Sequence, residues 1–231
     1  MAGETEESVF ATVDLPYIPP EFRENRGEIE AARNGLLPDL VQLSDLHGDL
    51  HCHTRATDGH GRLKEMVEAA RHQGLKYLAI TEHSKRITMV HGLYSQRLLE
   101  QIEEIDPLND RLREHTEGFR VLKGIEVDIL EDGGLDLPDP ILERLDLVIG
   151  AVHSKLHLSR AQQTRRILKA MDHRHFSILA HPTGRLIDER EPYDIDMVRV
   201  IRHARDRACL PELNAHPERL DLTEIHCQMA R

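Results

Sequence analysis

Nothing in this chain reads as a membrane span or an export signal. No apolar run approaches the ~18 residues that a spanning helix needs. Residues 1–8 are acidic and polar, without the basic start and apolar centre of a secretory leader. Cysteine is scarce. Cys52, Cys209 and Cys227 are an odd set of 3 with no paired spacing, which argues against a disulfide scaffold and for a reduced, cytoplasmic protein. Basic charge is short as well: 30 Lys and Arg face 41 Asp and Glu, a net of −11. Long nucleic acids are held by basic surfaces, so a chain this acidic is a poor stand-alone binder of them. Bound cations would offset part of the deficit. There is no internal repeat and no low-complexity tract.

Histidine, in contrast, is abundant, with 16 residues. The stretch Gly48-Asp49-Leu50-His51-Cys52-His53-Thr54 places two of them one residue apart. In a β-strand alternate side chains share a face, so His51 and His53 project one way and Cys52 the other. Two imidazoles about 6–7 Å apart on one face suit a shared metal or a pair of metals. By spacing alone, two surface histidines are an equally good reading. Cys52 is expected to pack behind the strand.

Residues 1–46 read as a lead-in segment. Pro16, Pro19 and Pro20 interrupt regular structure, a short charged helix is expected within Glu21–Leu36 on an apolar face of Ile29, Ala32 and Leu36, and Pro38 closes it. From residue 47 the texture changes. Strands are expected at Gly48–His53, Tyr77–Thr81, Arg120–Ile125, Leu145–Val152, Phe176–Ala180 and Leu210–Asn214. Helices alternate with them. Leu63, Met66, Val67 and Ala70 share one face before Gly74, and Ser95 caps a helix with Leu98, Leu99, Ile102 and Ile105 inward. Two more run over 161–171 and 195–208, the latter with Val198, Ile201 and Ala204 inward. Such alternation implies βα units and a mostly parallel α/β sheet.

Chemistry-bearing residues fall at the ends of these strands. The first ends in His51-Cys52-His53 with Asp58 on the next loop, the second runs into Glu82-His83, and the third delivers Glu126. The fourth ends in His153 and the fifth in His181. In a parallel α/β barrel the C-terminal strand ends are where active sites are assembled. A solvated strand-end histidine is a common feature, but the same pattern on five successive strands argues for a site. Nitrogen and carboxylate donors together suit Zn, Mn or Fe rather than Ca. There are more donors than one tetrahedral ion uses, so a cluster of two or three divalent ions is expected. Such clusters clamp phosphate oxygens during in-line displacement.

The segments GDLHCHT, ITEHS, GIEVDIL, IGAVHS, AHPTGRLI and ELNAHPERLDL resemble the PHP (polymerase and histidinol phosphatase) superfamily. They are most similar to the PHP domain of bacterial family X DNA polymerases, and the lead-in YIPPEFRENRGEIEAA resembles the segment before that domain. The resemblance implies a distorted (β/α)7 TIM-like barrel that carries two or three divalent ions, Mn or Zn, with Fe as a further candidate. It implies phosphoester hydrolysis with 3′–5′ exonuclease and 3′-end processing activity on DNA. By motif match the ligands are His51, His53, Asp58, His83, Glu126, His153 and His181. The nucleophile is a water activated by the ions, so no side-chain nucleophile is called for. Arg185 is expected to orient a phosphate. Asn214 and Arg219 position the site or the substrate, or else make structural bonds at a strand end.

Three departures from the family pattern bear on function. The last ligand pair, an Asp-x-His on a final strand, has no counterpart before Arg231, so an incomplete barrel is expected over 47–231. No paired catalytic aspartates of a polymerase precede the domain, and weak DNA affinity follows for this chain alone. Glu82 stands where the family usually has Asp, which shifts a contact behind a ligand histidine or is harmless. Two other functions stay open: a PHP phosphatase for small phosphorylated molecules, such as histidinol phosphate or nucleotides, and a non-catalytic remnant with a structural or interaction role.

Overall fold

Short, largely apolar runs alternate with amphipathic helices, and the computed structural model turns each run into a strand. It describes residues 3–115 and 118–231, with Thr88 and His115 described by backbone alone. The 11 histidines outside the strand-end set, among them His115, His173 and His203, are expected at the surface from sequence, and the His115 side chain lies outside the described residues. The chain divides into two compact units, residues 1–45 and 46–231.

The first unit carries α1 (Glu6–Thr12) and α2 (Glu28–Arg33), with a 3-10 turn at Pro20–Phe22. Thr5 caps α1 by accepting the Ser8 N–H at 3.2 Å. Arg23 pairs with Glu6 at 2.7 Å and lies 5.1 Å above the Phe10 ring. The charged helix expected within Glu21–Leu36 is shorter than that span, because the 3-10 turn takes its first residues. Ile29 and Leu36 are exposed and form no inward face.

The second unit is a curled sheet of six parallel strands in sequence order. They are β1 (Gly48–Cys52), β2 (Tyr77–Ile80), β3 (Arg120–Asp128), β4 (Leu147–Ala151), β5 (Phe176–Leu179) and β6 (Leu210–Pro211). The connecting helices are α3 (Leu63–His72), α4 (Ser95–His115), α5 (Asp139–Leu142), α6 (Arg160–Met171) and α7 (Met197–Arg207), and α8 (Glu224–Ala230) follows β6. The result is a half-barrel, an incomplete (β/α) TIM-like barrel of the PHP type. β1 and β6 are its two edges.

Strand alternation separates two layers. On the outer face Leu78, Ile80 and Val121 pack against Val67, Ile105 and Leu108, while Ile125, Val127 and Val148 pack against Leu98 and Ile102. On the inner face Ala79, Leu147, Ile149, Ala151, Ile178 and Ala180 form a smaller cluster with Leu50. Small residues there leave room for the polar groups above them. On α7 Ile201 and Ala204 are buried as expected, but Val198 is 41% exposed and Met197 and Val200 take its place in the buried face. Ser95 is the first residue of α4 rather than its cap. Among the described residues no helix is long and apolar enough to cross a membrane.

Candidate metal centre

Each of the first five strands delivers its polar residue to the same end of the half-barrel. β1 does so through an irregularity. Its register against β2 shifts between Asp49 and Cys52. Leu50 packs on the inner cluster, and His51 and His53 reach the same side above it, while Cys52 turns outward. The Cys52 thiol donates to the Ala79 carbonyl at 3.2 Å, and burial pushes its pKa up to about 12. Strict alternation along β1, as expected from sequence, is broken by this bulge. The following loop folds back tightly: Gly59 N–H donates to the Thr54 carbonyl at 2.8 Å, and a side chain at Gly59 would collide with the His53 carbonyl.

Five imidazoles surround one buried carboxylate. Centroid distances run 5.3 Å from His51 to His53, 4.3 Å to His83, 5.4 Å to His153, 5.4 Å to His181 and 6.2 Å back to His51. Glu126, 1% exposed, sits inside this ring. Its Oε2 lies 3.4 Å from His51 Nε2, 3.6 Å from His53 Nε2 and 2.7 Å from His83 Nδ1. Its Oε1 lies 3.3 Å from His153 Nε2 and 3.0 Å from His181 Nε2. Asp58 approaches from the loop, 3.2 Å from His83 Nε2 and 3.8 Å from His53 Nδ1.

These contacts do not satisfy the donors and acceptors. His51 Nε2, His53 Nδ1, His83 Nδ1, His153 Nδ1 and Glu126 Oε2 are buried without a hydrogen-bond partner of good geometry. Buried polar atoms are ordinarily paired, so a cluster of orphans on ligand-type atoms fits cations better than it fits the protein alone. Three groups each bring donor atoms within 4.8 Å of one another: His51, His53 and Glu126; His53, Asp58 and His83; and His83, Glu126 and His153. His181 is outside these groups, hydrogen-bonded to Glu126.

Electrostatics of the ion-free chain reflect the crowding. Complete burial works against charge on Glu126, but the closely placed imidazoles of His153, His181, His51 and His83 win and hold its pKa well below the usual carboxylate range. His51 is opposed by burial yet pushed up to about 10 by Glu126 and Glu212. His153 rises to about 9 against burial, through Asp128 and Glu126. His53 is lowered to about 4, chiefly by burial and then by the charges of its imidazole neighbours. Burial also lowers His181, with Arg219 adding to the effect.

Behind the ring stand residues that the sequence reading did not single out. Glu212, just after β6, lies 2.5 Å from His51 Nδ1. Asp128 accepts the His153 N–H at 3.2 Å and lies 3.5 Å from its Nδ1. Arg166 of α6 is 2% exposed and donates to the carbonyls of Ile129, Leu130 and Ser154. The strand-end rule that marked the five ligand candidates also marks Glu212 on the sixth strand. Nothing in the sequence marks Arg166, which is at a helix position where an exposed arginine is usual.

The other sequence candidates have different surroundings. Arg185 donates its Nε to the Arg219 carbonyl at 2.6 Å and its Nη2 to Leu220, so it braces the loop after β6. Asn214 donates to Glu212 at 3.2 Å and accepts the His216 N–H at 3.1 Å. Arg219 keeps Nη1 buried without a partner. Glu82 does not support a histidine ring among the described residues; it accepts from Thr54 N–H at 3.0 Å, the Thr54 and Thr57 hydroxyls and Gln101 at 3.2 Å. It therefore holds the loop that carries Asp58. Of the histidines expected at the surface, His173 and His203 are half-buried and pair with Asp139 and Asp172, both at 2.9 Å.

A half-barrel of parallel strands with histidines and a buried glutamate at its C-terminal end defines a class of metal-dependent phosphoesterase. The PHP domain family matches residues 49–196, and the chain belongs to that family. It is 41% identical over 226 residues, 98% of its length and 39% of the other's, to a DNA polymerase/3′-5′ exonuclease PolX of Bacillus subtilis. It is 29% identical over 173 residues to a probable phosphatase of Acetivibrio thermocellus, covering 73% of this chain and 65% of that one. A probable phosphatase of Caldicellulosiruptor saccharolyticus is 30% identical over 175 residues, with 73% and 66% covered. The chain spans less than two thirds of the length of each of these relatives.

Proposed function

We propose that this chain is a cytoplasmic hydrolase of phosphoesters that depends on divalent ions and acts at DNA 3′ ends. The observation that carries the reading is the ring of five imidazoles around Glu126 with its ligand atoms unpartnered. His51, His53, Asp58, His83, Glu126, His153 and His181 would hold two or three ions, with Mn, Zn and Fe as the chemical candidates. Bound divalent ions polarise phosphoryl oxygens and lower the pKa of water toward neutrality.

The chain's own residues do the rest. Glu126 puts one carboxylate oxygen toward each side of the ring, so it suits a shared ligand. Glu82 fixes the Asp58 loop through Thr54 and Thr57. Arg219 places positive charge beside His181, where a substrate phosphate would gain from it. Arg185 is committed to backbone carbonyls and is the weaker candidate for that role.

A DNA substrate is supported by the polymerase-exonuclease relative, which matches nearly the whole chain. A small phosphorylated substrate is the second reading, supported by the relatives named as phosphatases and by the net charge of −11. The test is parallel assay of a 3′-labelled oligonucleotide and p-nitrophenyl phosphate with Mn²⁺, each with a chelator control. Removal of 3′ nucleotides that stops with chelator supports the DNA reading. Turnover of p-nitrophenyl phosphate alone supports the second, and neither would leave a non-catalytic role. Weak duplex affinity is expected in a filter-binding titration at physiological salt.

A further inference from the structure

β1 and β6 are the two edges of the half-barrel, and among the described residues no strand ladder joins them. The Glu212 side chain reaches across the gap to His51. Glu212 follows β6 directly, and its backbone N–H is fixed on the Leu179 carbonyl at 2.9 Å. One carboxylate oxygen meets His51 Nδ1 at 2.5 Å. The other accepts the backbone N–H of His181 at 2.7 Å and the Asn214 amide at 3.2 Å. Its side chain is 12% exposed, and that of His51 is 13% exposed.

We infer that Glu212 is a positioning residue for the metal centre, which orients His51 and His181 from opposite sides of the open barrel. This rests on the reading that the histidine ring holds divalent ions. The argument is one of tautomers. A neutral imidazole carries one N–H and one lone pair. A carboxylate 2.5 Å from Nδ1 accepts a hydrogen bond from an N–H there and so keeps the proton on Nδ1, which leaves the lone pair on Nε2. Nε2 is the atom of His51 that is buried without a partner and grouped with His53 and Glu126. Glu212 therefore selects the tautomer that faces the ions and adds basicity to it, as carboxylates behind ligand histidines generally do.

The second oxygen acts on the backbone. His181 has φ of 27°, in the left-handed region that a non-glycine residue rarely enters. The hydrogen bond from its N–H to Glu212 holds that turn, and the turn sends the imidazole onto Glu126 at 3.0 Å. Asn214, a substrate candidate by sequence, then acts one step further back by steadying Glu212. His203 and Asp172 supply a contrast: a histidine–carboxylate pair at 2.9 Å through Nε2, outside the grouped ligands.

The experiment is a zinc titration by competition with a chromophoric chelator, on the wild type, Glu212→Gln and Asp172→Asn. It is paired with melting of the ion-free proteins and ¹H–¹⁵N imidazole spectra of the zinc-loaded wild type. The nearly isosteric Gln has a single acceptor oxygen and cannot accept from both His51 Nδ1 and the His181 N–H. Glu212→Gln is expected to weaken the tightest zinc site about 10–100-fold, with melting moved no further than in Asp172→Asn, whose zinc affinity is unchanged. His51 is expected to show its proton on Nδ1. Zinc affinity within threefold of wild type in Glu212→Gln, or a His51 proton on Nε2, would overturn the inference while the metal reading stood. The spectra decide the matter even if Glu212→Gln does not fold. A wild type that binds no zinc would overturn the metal reading itself, and this inference with it.

Discussion

Arg166 Nη1 donates a 2.8 Å hydrogen bond to the carbonyl of Ser154, the residue after His153. The same guanidinium holds the carbonyls of Ile129 and Leu130, beyond the end of β3. One buried cation thus ties together the two strand ends that deliver Glu126 and His153. Arg166→Met keeps much of the apolar stem and removes a donor from three carbonyls, of which Leu130 still accepts the Gly133 N–H at 2.8 Å. Hydrogen bonds to a buried charge are worth more than neutral ones, so a loss of ~3 kcal/mol of stability is expected from chemical denaturation. Unchanged stability would show that the carbonyls find other donors.

Glu82 fixes the Asp58 loop at a distance from the ligands. Glu82→Asp shortens the side chain by one methylene and withdraws the carboxylate from at least one of Thr54, Thr57 and Gln101. Asp58 and His83 belong to one ligand group with His53. The ion held there is expected to bind about tenfold more weakly, with the ions on Glu126 less affected. A metal titration that resolves the separate sites checks this. Equal weakening at every site would mean that the loop is not what Glu82 controls.

The histidine shifts give opposite pH trends for the ion-free and loaded protein. His51 and His153 are raised from an ordinary 6.5 to about 10 and about 9. Groups raised on folding contribute stability that is fully present below their unfolded value and is lost as pH rises through the folded value. Glu126 is depressed, so its contribution is present above its ordinary 4.5 and fades as pH falls. The ion-free melting temperature is therefore expected to drop between pH 7 and pH 10. Metal binding needs deprotonated imidazoles, so at pH 8 loading releases protons from His51 and His153, and apparent affinity rises with pH. Calorimetry in two buffers of different ionisation heat measures that release. Loading at pH 8 without proton release would contradict the assignment.

Much of this architecture was legible in the sequence, because short apolar runs between amphipathic helices leave few alternatives to a parallel sheet. The start of every strand but β4 was readable to the residue. Most of the histidines gathered around Glu126 were legible for the same reason: His53, His83, His153 and His181 stand at or just past strand ends. What escaped depends on tertiary placement. The bulge between Asp49 and Cys52 is a pairing irregularity with no marker in the local sequence. Val198 has the right spacing for an inward face, but α7 is rotated so that Met197 and Val200 are buried instead. Arg185 and Arg219 look alike in sequence, and only their neighbours separate a loop brace from a guanidinium whose Nη1 is buried without a partner.

Elemental analysis of the purified wild type beside Glu126→Gln tests the central claim most directly. Glu126 contacts all five imidazoles, so its loss reaches every part of the ring. The account predicts two or more divalent ions per wild-type chain, a loss of at least one in the variant, and hydrolysis reduced about 100-fold or more. Fewer than one ion per wild-type chain after incubation with Mn²⁺ or Zn²⁺, or equal loading of the two proteins, would contradict it.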